Sequence, residues 1–292
     1  MNESTATSLE QLIEACATAG PKNCCYRGQS DASWNLVPSI FRPLPTTPTK
    51  HLQATLSWIA RCERDLYREF ELRGRALFDL DDKWEILCLA QHHGVPTRLL
   101  DWTKNLLVAL FFAISNDGDT DAAVWCVDLD SLPFPTELGR RHLGGGYRLE
   151  AVRRYCRIEP AFMQEVSSPL TGPQQRTSGT LVFIEPPSLD ARIERQEAIL
   201  SVYINFHDED SQTDYTAYFL DIERRLSRDV ITKVTIPQRF RQTIKAELEQ
   251  RTRITLYQMF PDLSGLGRWL AEQNRARLRK QCDRSQSDGF SF

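Results

Sequence analysis

Ala90-Gln91-His92-His93-Gly94-Val95-Pro96-Thr97-Arg98-Leu99-Leu100-Asp101-Trp102-Thr103, running on to the apolar stretch Leu106 to Ile114, decides the fold. Lys83 to His93 has a helical period and meets Gly94, which ends helices because glycine accepts the left-handed conformation. Val95 to Trp102 is too short and too rich in β-favouring residues for another helix, so it reads as a strand. Thr103 is a good N-cap, and Leu106 to Ile114, apolar all round, reads as a buried helix. Helix, strand and buried helix in succession point to a mixed architecture.

Towards the N-terminus, Leu9 to Ala19 carries apolar side chains at 9, 12, 13, 16 and 19, one face of a helix that Gly20-Pro21 stops. Asn23 to Gly28 and Trp34 to Val37 read as two short strands around the turn Gln29-Ser30-Asp31, with Arg27 at a strand end. Pro38, Pro43, Pro45 and Pro48 mark a loop, and His51 to Phe78 is long, charged and helical in period. Towards the C-terminus, AAVWCVDL from Ala122, TLVFIEPP from Thr180, ILSVYINF from Ile199 and DVITKVTIP from Asp229 are strand-like, so the second half is expected to carry the main sheet. Gln238 to Arg251 and Leu263 to Lys280 return to helical period, with Ile254 to Phe260 apolar between them and a solvated tail after them.

These elements predict one α+β domain over residues 1–270, a helical N-terminal part packed on a mixed, mainly antiparallel sheet. Residues 271–292 then form a basic helix end and a flexible tail. With 41% hydrophobic and 26% charged residues, the 292-residue chain is neither disordered nor collagen-like. No run approaches the ~18 apolar residues of a membrane span, and no signal peptide opens the chain, so a cytoplasmic protein without a membrane partner is expected. Against 39 acidic residues stand 36 basic ones, a net charge of −3 that argues against nucleic acid as a partner. The eight cysteines form no C-x-x-C pair and no metal-ligand spacing with histidine, so neither a disulfide scaffold nor a metal is assigned.

Several residues have the chemistry of a site. Arg27, followed by Gly28, suits a bidentate grip on phosphate or carboxylate, the competing role being an ion pair with Asp31 or Asp101. Gln29 belongs with it as a binding residue. His93 can donate to a ribose hydroxyl or exchange a proton, or simply cap a helix, while His92 reads as surface. In an extended strand Thr97 and Asp101 share one face, so both can line one cleft beside Arg98, unless Asp101 or Thr103 merely caps the next helix. Trp102 is a stacking surface for a base or a core residue. Arg192, Glu194, Arg195, Gln196 and Glu197 precede a strand, where a carboxylate or amide can serve glycosidic-bond chemistry or simply face solvent.

Tyr26-Arg27-Gly28-Gln29, continued by Trp34 to Ser39 and Phe41-Arg42, resembles the signature of the FRG-domain family. Ala90 to Thr103, with Ala109 and Phe112-Ala113, is similar to the family's second and most specific block, and Arg192 to Gln196 with Phe260 to Leu263 extends the likeness over roughly residues 8 to 270. An Arg-bearing early strand, a polar middle strand and a Gln/Glu-bearing late strand further resemble the ADP-ribosyltransferase plan. That resemblance implies an enzyme acting on NAD or a related nucleotide, with Arg27, Asp101, Gln196 and Glu194 catalytic: Arg27 on a phosphate or the ribose, Gln196 at the ribose, and Glu194 or Glu197 as acid or base. It also implies a toxin or phage-defence effector with a protein target or a neutralising partner. The alternatives are a non-catalytic module that binds a nucleotide or partner, and, with less support, a nuclease.

Overall fold

The computed structural model describes residues 2–19, 23–43, 52–116, 118–132, 179–205, 226 and 230–288. Its strands are β1 (Asn2–Thr5), β2 (Cys24–Gln29), β3 (Leu100–Thr103), β4 (Ala122–Asp128), β5 (Gly179–Ile184), β6 (Ala198–Asn205) and β7 (Ile231–Ile236). The helices among the described residues are α1 (Leu9–Ala19), α2 (Leu52–Gly74), α3 (Lys83–His92), α4 (Leu106–Ile114), α5 (Ala191–Arg195), α6 (Gln238–Arg251), α7 (Leu256–Met259) and α8 (Leu263–Asp288). The strands make one seven-stranded sheet in the order β1-β7-β4-β2-β3-β6-β5. β1 runs parallel to β7 and every other neighbouring pair is antiparallel. This is the mixed, mainly antiparallel α+β sheet that the patterning predicts.

Alternation along β2 and β4 divides the core between the two faces of the sheet. On one face, Leu9, Leu12 and Cys16 of α1, Val108, Leu110 and Ile114 of α4 and Ile244 and Leu248 of α6 bury against Val124, Cys126, Val234 and Ile236. Further along the same face Trp84, Ile86 and Leu87 of α3 pack with Leu200, Val202 and Ile184. Cys25, Trp125, Val127, Leu100, Trp102, Ile199 and Ile231 fill the other face with Leu36, Leu132 and Leu226. Each fully buried aliphatic side chain in these layers contributes roughly 1.5–3 kcal/mol.

Gly28 fixes how closely α4 approaches. A Cβ there would lie 1.9 Å from the Ala109 carbonyl oxygen and 2.6 Å from the Ala113 nitrogen, so the helix rests directly on the strand. The far end of α4 is held by Arg241, which is 3% exposed and donates to the carbonyls of Ala113, Asn116, Gly118, Ser30 and Thr120.

Some expectations are corrected. The sheet draws β1, β2 and β3 from ahead of Ala122, and β2 and β3 are central. They are only six and four residues long, too short to dominate a periodicity count. β1, NEST, is exposed at every position and carries no apolar signal. Trp34 to Val37 is not a strand: β4 and β3 flank β2, leaving no free ladder, and Leu36 is instead buried as a core plug. The N-cap of α4 is neither Thr103 nor Asp101 but Asn105, whose Oδ1 accepts from the Leu107 and Val108 amides at 3.0 and 3.4 Å. Thr103 Oγ1 accepts from Asn105 N at 3.0 Å instead. Helix α8 runs unbroken across position 270 and continues to Asp288, where a tail was expected. Pro45, Pro48 and the last four residues lie outside the described residues. No described helix is long and apolar enough to cross a membrane.

Candidate functional site

β2 pairs with β4 along Cys24 to Gln29, and β3 pairs with β6 along Leu100 to Thr103. Between β2 and β3 the register holds one pair, Tyr26 with Thr103. Past that pair the strands part, and the sheet has a slot at its centre. Arg27 reaches across it: Nη1 donates to the main-chain carbonyl of Asp101 at 2.6 Å, where a ladder would use a backbone amide, and lies 3.9 Å from the Asp101 carboxylate. The Arg27 side chain is 13% exposed, and its Nε is buried with no hydrogen-bond partner. Burial pushes the guanidinium down to about 10, with Asp101 acting against that and Arg42 adding to it.

A cavity of about 550 Å³ opens at the slot, within the size range of small-molecule sites. Because the slot breaches the sheet, its lining includes Arg27, Gln29 and Trp102 from one face and Tyr26, Gly28 and Asp101 from the other. Arg27, Arg42, Arg192 and Arg268 all line it, and among the described lining residues Asp101 is the sole carboxylate. In a chain of net charge −3 this is a local reversal of sign, which raises the local concentration of anions.

Asp101 is half exposed and held by a relay. Gln91 Nε2 donates to its Oδ2 at 2.8 Å, Thr97 Oγ1 donates to Gln91 Oε1 at 2.6 Å, and the Leu99 amide donates to Thr97 Oγ1 at 3.0 Å. Thr97 is 1% exposed, precedes β3 and does not line the cavity. The same-face geometry expected for Thr97 and Asp101 therefore fails, because the strand begins only at Leu100. Thr97 acts on Asp101 through Gln91.

The end of α3 reverses the expectation for the two histidines. His93 is the exposed C-cap, whereas the His92 side chain is 9% exposed, lines the cavity and lies 3.5 Å from Asp190 Oδ2. Burial first, then Arg192, push His92 down to about 4, so it is neutral at pH 7. Both histidines line the cavity.

The facing wall begins at Asp190, which caps α5 by accepting from the Arg192 and Ile193 amides at 2.9 and 2.8 Å. Arg192 and Arg268 stand over the Phe260 ring, 4.3 and 4.6 Å from its centroid. Burial lowers the Arg192 guanidinium, and its Nε is buried without a hydrogen-bond partner. Gln196, the C-cap of α5, donates to the Met259 carbonyl at 3.0 Å and lines the cavity.

Other expected site residues lie outside the lining or are committed to structural contacts. Arg98 is locked in a buried pair with Glu63, which accepts from Arg98 Nε at 2.7 Å and from its Nη2 and backbone amide, so its fork is spent on structure. Glu194 is exposed, accepts from Ser188 Oγ and is not among the lining residues. Glu197 is exposed at φ 45°, accepts from Asn105 Nδ2 at 2.8 Å and also lies outside the lining. Trp102 is 3% exposed, donates to Ser201 Oγ at 2.9 Å and meets Phe183 edge-on, so its ring belongs to the core. Gln29 borders the cavity but is buried, donating to the Asn35 carbonyl and accepting from Trp125 Nε1. Sequence reasoning missed Gln91, His92, Arg42 and Arg268 as lining residues. Gln91 and His92 sat within the quoted middle block, whereas Arg268 lay in a helix with no local sign of a site.

Among the described residues no group of three or more His, Cys, Asp or Glu side chains could hold a metal ion. Comparison with curated proteins and with solved structures returned no match. The family model of the FRG domain matches residues 22–122, which carry β2, α3, β3 and α4 with Arg27, Gln91, His92 and Asp101. The match to the FRG domain thus spans residues 22–122, and Arg192, Gln196, Phe260 and Arg268 from beyond that span complete the wall of the cavity.

Proposed function

We propose that this protein is an ADP-ribosyltransferase-like enzyme that takes NAD, or a related nucleotide, into the slot between β2 and β3 and cleaves its bond between the ribose C1′ and nicotinamide. The observation that carries the proposal is Arg27: a buried guanidinium with an unpartnered Nε, lining a basic cavity in which Asp101 is the one carboxylate among the described residues. A planar fork of this kind suits the diphosphate. On cleavage, the bonding electron pair leaves with nicotinamide and positive charge develops on the ribose. Asp101, held by Gln91, is the group with the charge to stabilise it, and the side-chain amide of Gln196 is suited to the ribose hydroxyls. A lone pair from water or an acceptor hydroxyl then closes on C1′, its proton passing to Asp101 or solvent. With water the product is free ADP-ribose, and with a protein acceptor the modified target of an effector.

A second function has its own support. Glu194 and Glu197 lie outside the cavity lining, so Asp101 has no described carboxylate partner there, as suits a module that binds a nucleotide without turning it over. One assay separates the two. Purified protein is incubated with NAD and free nicotinamide is measured, with calorimetry for binding. The enzyme predicts release that falls about 100-fold or more in Asp101→Asn, the scale of losing one charge-stabilising group. Binding without release assigns the module, and neither binding nor release overturns both. Growth arrest on expression, relieved by Asp101→Asn, tests the effector role.

A further inference from the structure

The basic groups of the cavity fall into two sets. Arg27 and Arg42, from β2 and the turn after Pro38, act on one another's charge. Arg192 and Arg268, from α5 and α8, do the same over the Phe260 ring, and His92 of α3 is next to Arg192 electrostatically. Asp101 acts on Arg27, Arg192 and His92, so the carboxylate stands between the sets.

The second set is short of partners. Arg192 Nε and His92 Nε2 are both buried without a hydrogen bond, and such groups are rare because each forfeits its solvation. The nearby carboxylates have other duties. Asp190 caps α5 through Oδ1 and approaches His92 Nε2 no closer than 3.5 Å, and Asp262 accepts from the Gly265 amide at 2.6 Å. Two like-charged guanidiniums kept together by one ring, with buried nitrogens unspent, make a receptor for a compact anion of high charge.

Charge counting gives the same answer. Among the described lining residues, four arginines against one carboxylate leave an excess of three positive charges, and His92 is neutral at pH 7. The diphosphate of NAD, offset by its nicotinamide ring, would meet about one of them. A phosphate monoester adds about −1.5 to −2 at pH 7 and would balance most of the rest.

We propose that Arg192, Arg268 and His92 form a second anion subsite that receives a phosphate monoester on the ribose of the bound nucleotide, so that ribose-phosphorylated nucleotides are preferred. This inference rests on the cleft being a nucleotide site. NADP, with a 2′-phosphate, and coenzyme A, with a 3′-phosphate, share the required pairing of diphosphate and monoester.

The test is titration calorimetry on the full chain with two matched pairs of probes, NADP against NAD and coenzyme A against dephospho-coenzyme A. At least one phosphorylated member should bind tenfold or more tightly than its partner, since a charge-assisted hydrogen bond is worth about a factor of ten. The pair that shows the preference identifies the phosphate position. In Arg268→Ala, or Arg268→Gln if the alanine variant does not fold, that ratio should fall to near one. Equal binding within both pairs, or a ratio unchanged by the Arg268 variants, overturns the subsite while leaving the nucleotide cleft standing. Absence of binding by all four probes overturns the cleft, and the subsite with it.

Discussion

Replacing Arg27 with methionine separates a ligand-binding guanidinium from a structural one by the sign of a stability change. In the fold the group sits at about 10, well below its ordinary value, and at roughly 1.4 kcal/mol per pH unit the charged form is disfavoured by about 3 kcal/mol. Because the folded value is the lower one, that cost is fully present at neutral pH and is relieved only as pH rises above about 10. Against it stands the bond to the Asp101 carbonyl, worth about 1.5–3 kcal/mol as a charge-assisted contact. The ion pair at 3.9 Å adds little, since the carboxylate is 56% exposed and keeps its bond from Gln91. Methionine retains most of the aliphatic stem, so Arg27→Met should be between unchanged and about 1.5 kcal/mol more stable. For a chain of this size that is a rise in Tm of up to a few degrees, read by thermal and urea unfolding at pH 7. Nucleotide binding should be lost in the same variant. A structural anchor would instead cost about 3–5 kcal/mol on truncation, and a loss of that size would refute the assignment of Arg27 to a ligand.

Gly28→Ala drives a methyl group into the Ala109 carbonyl, and should cost about 4 kcal/mol or more, seen as loss of the unfolding transition or of soluble protein. Arg241→Met removes five hydrogen bonds to carbonyls around the end of α4 and should lower stability by about 3–5 kcal/mol in urea unfolding, while Arg241→Lys recovers only part of it. Thr97→Val frees Gln91 and loosens Asp101, and should lower nicotinamide release about tenfold at a stability cost near 1 kcal/mol, with KM for NAD little changed. His92 is depressed to about 4, so the unfolded chain binds the extra proton between pH 6.5 and 4 and stability falls on acidification through that window. His92→Gln should remove about 2 kcal/mol of the loss between pH 7 and pH 5, measured from urea midpoints, and an unchanged pH dependence would place His92 in a solvated setting.

What could be read in the sequence follows from how local each cause is. Helix α1 and α6 match their expected limits because amphipathic period and terminating residues lie within the segments themselves. The long strands β4, β6 and β7 are continuous β-favouring runs and announce themselves in the same way. β1 could not be found, since an exposed polar strand owes its conformation to pairing with β7, more than 200 residues away. The site divides along the same line. Arg27, Gln196 and Asp101 were legible as chemistry, but Arg98 became structural through Glu63, a partner 35 positions away that no spacing rule links to it. His92 and His93 both line the cavity, but one residue of rotation at the helix end makes His92 the buried ring beside Asp190 and His93 the exposed C-cap, and Asp190 lies about 100 positions away in the sequence.

Arg27 and Gly28 are neighbours with opposite tasks, and the period of a strand explains why they occur together. Consecutive side chains point to opposite faces, so a strand that turns an arginine toward a slot on one side must present its next residue to the layer on the other. That layer is α4, so close that no Cβ fits, and the helix is apolar from Leu106 to Ile114 because it is packed nearly all round. The close contact has a consequence for the arginine. With α4 pressed on it and six residues paired to β4, β2 cannot shift to rejoin β3, and the slot stays open in the folded state. A buried guanidinium that costs stability persists only where the surroundings leave it no alternative position. Glycine at 28, by letting α4 rest on β2, therefore helps to keep Arg27 Nε without a hydrogen-bond partner. Because a Cβ at 28 meets backbone atoms of Ala109 and Ala113, second-site changes that rescue Gly28→Ala must let the whole helix retreat from the strand. The recovered protein should then let β2 and β3 pair further, and it should bind nucleotide more weakly even though Arg27 is intact.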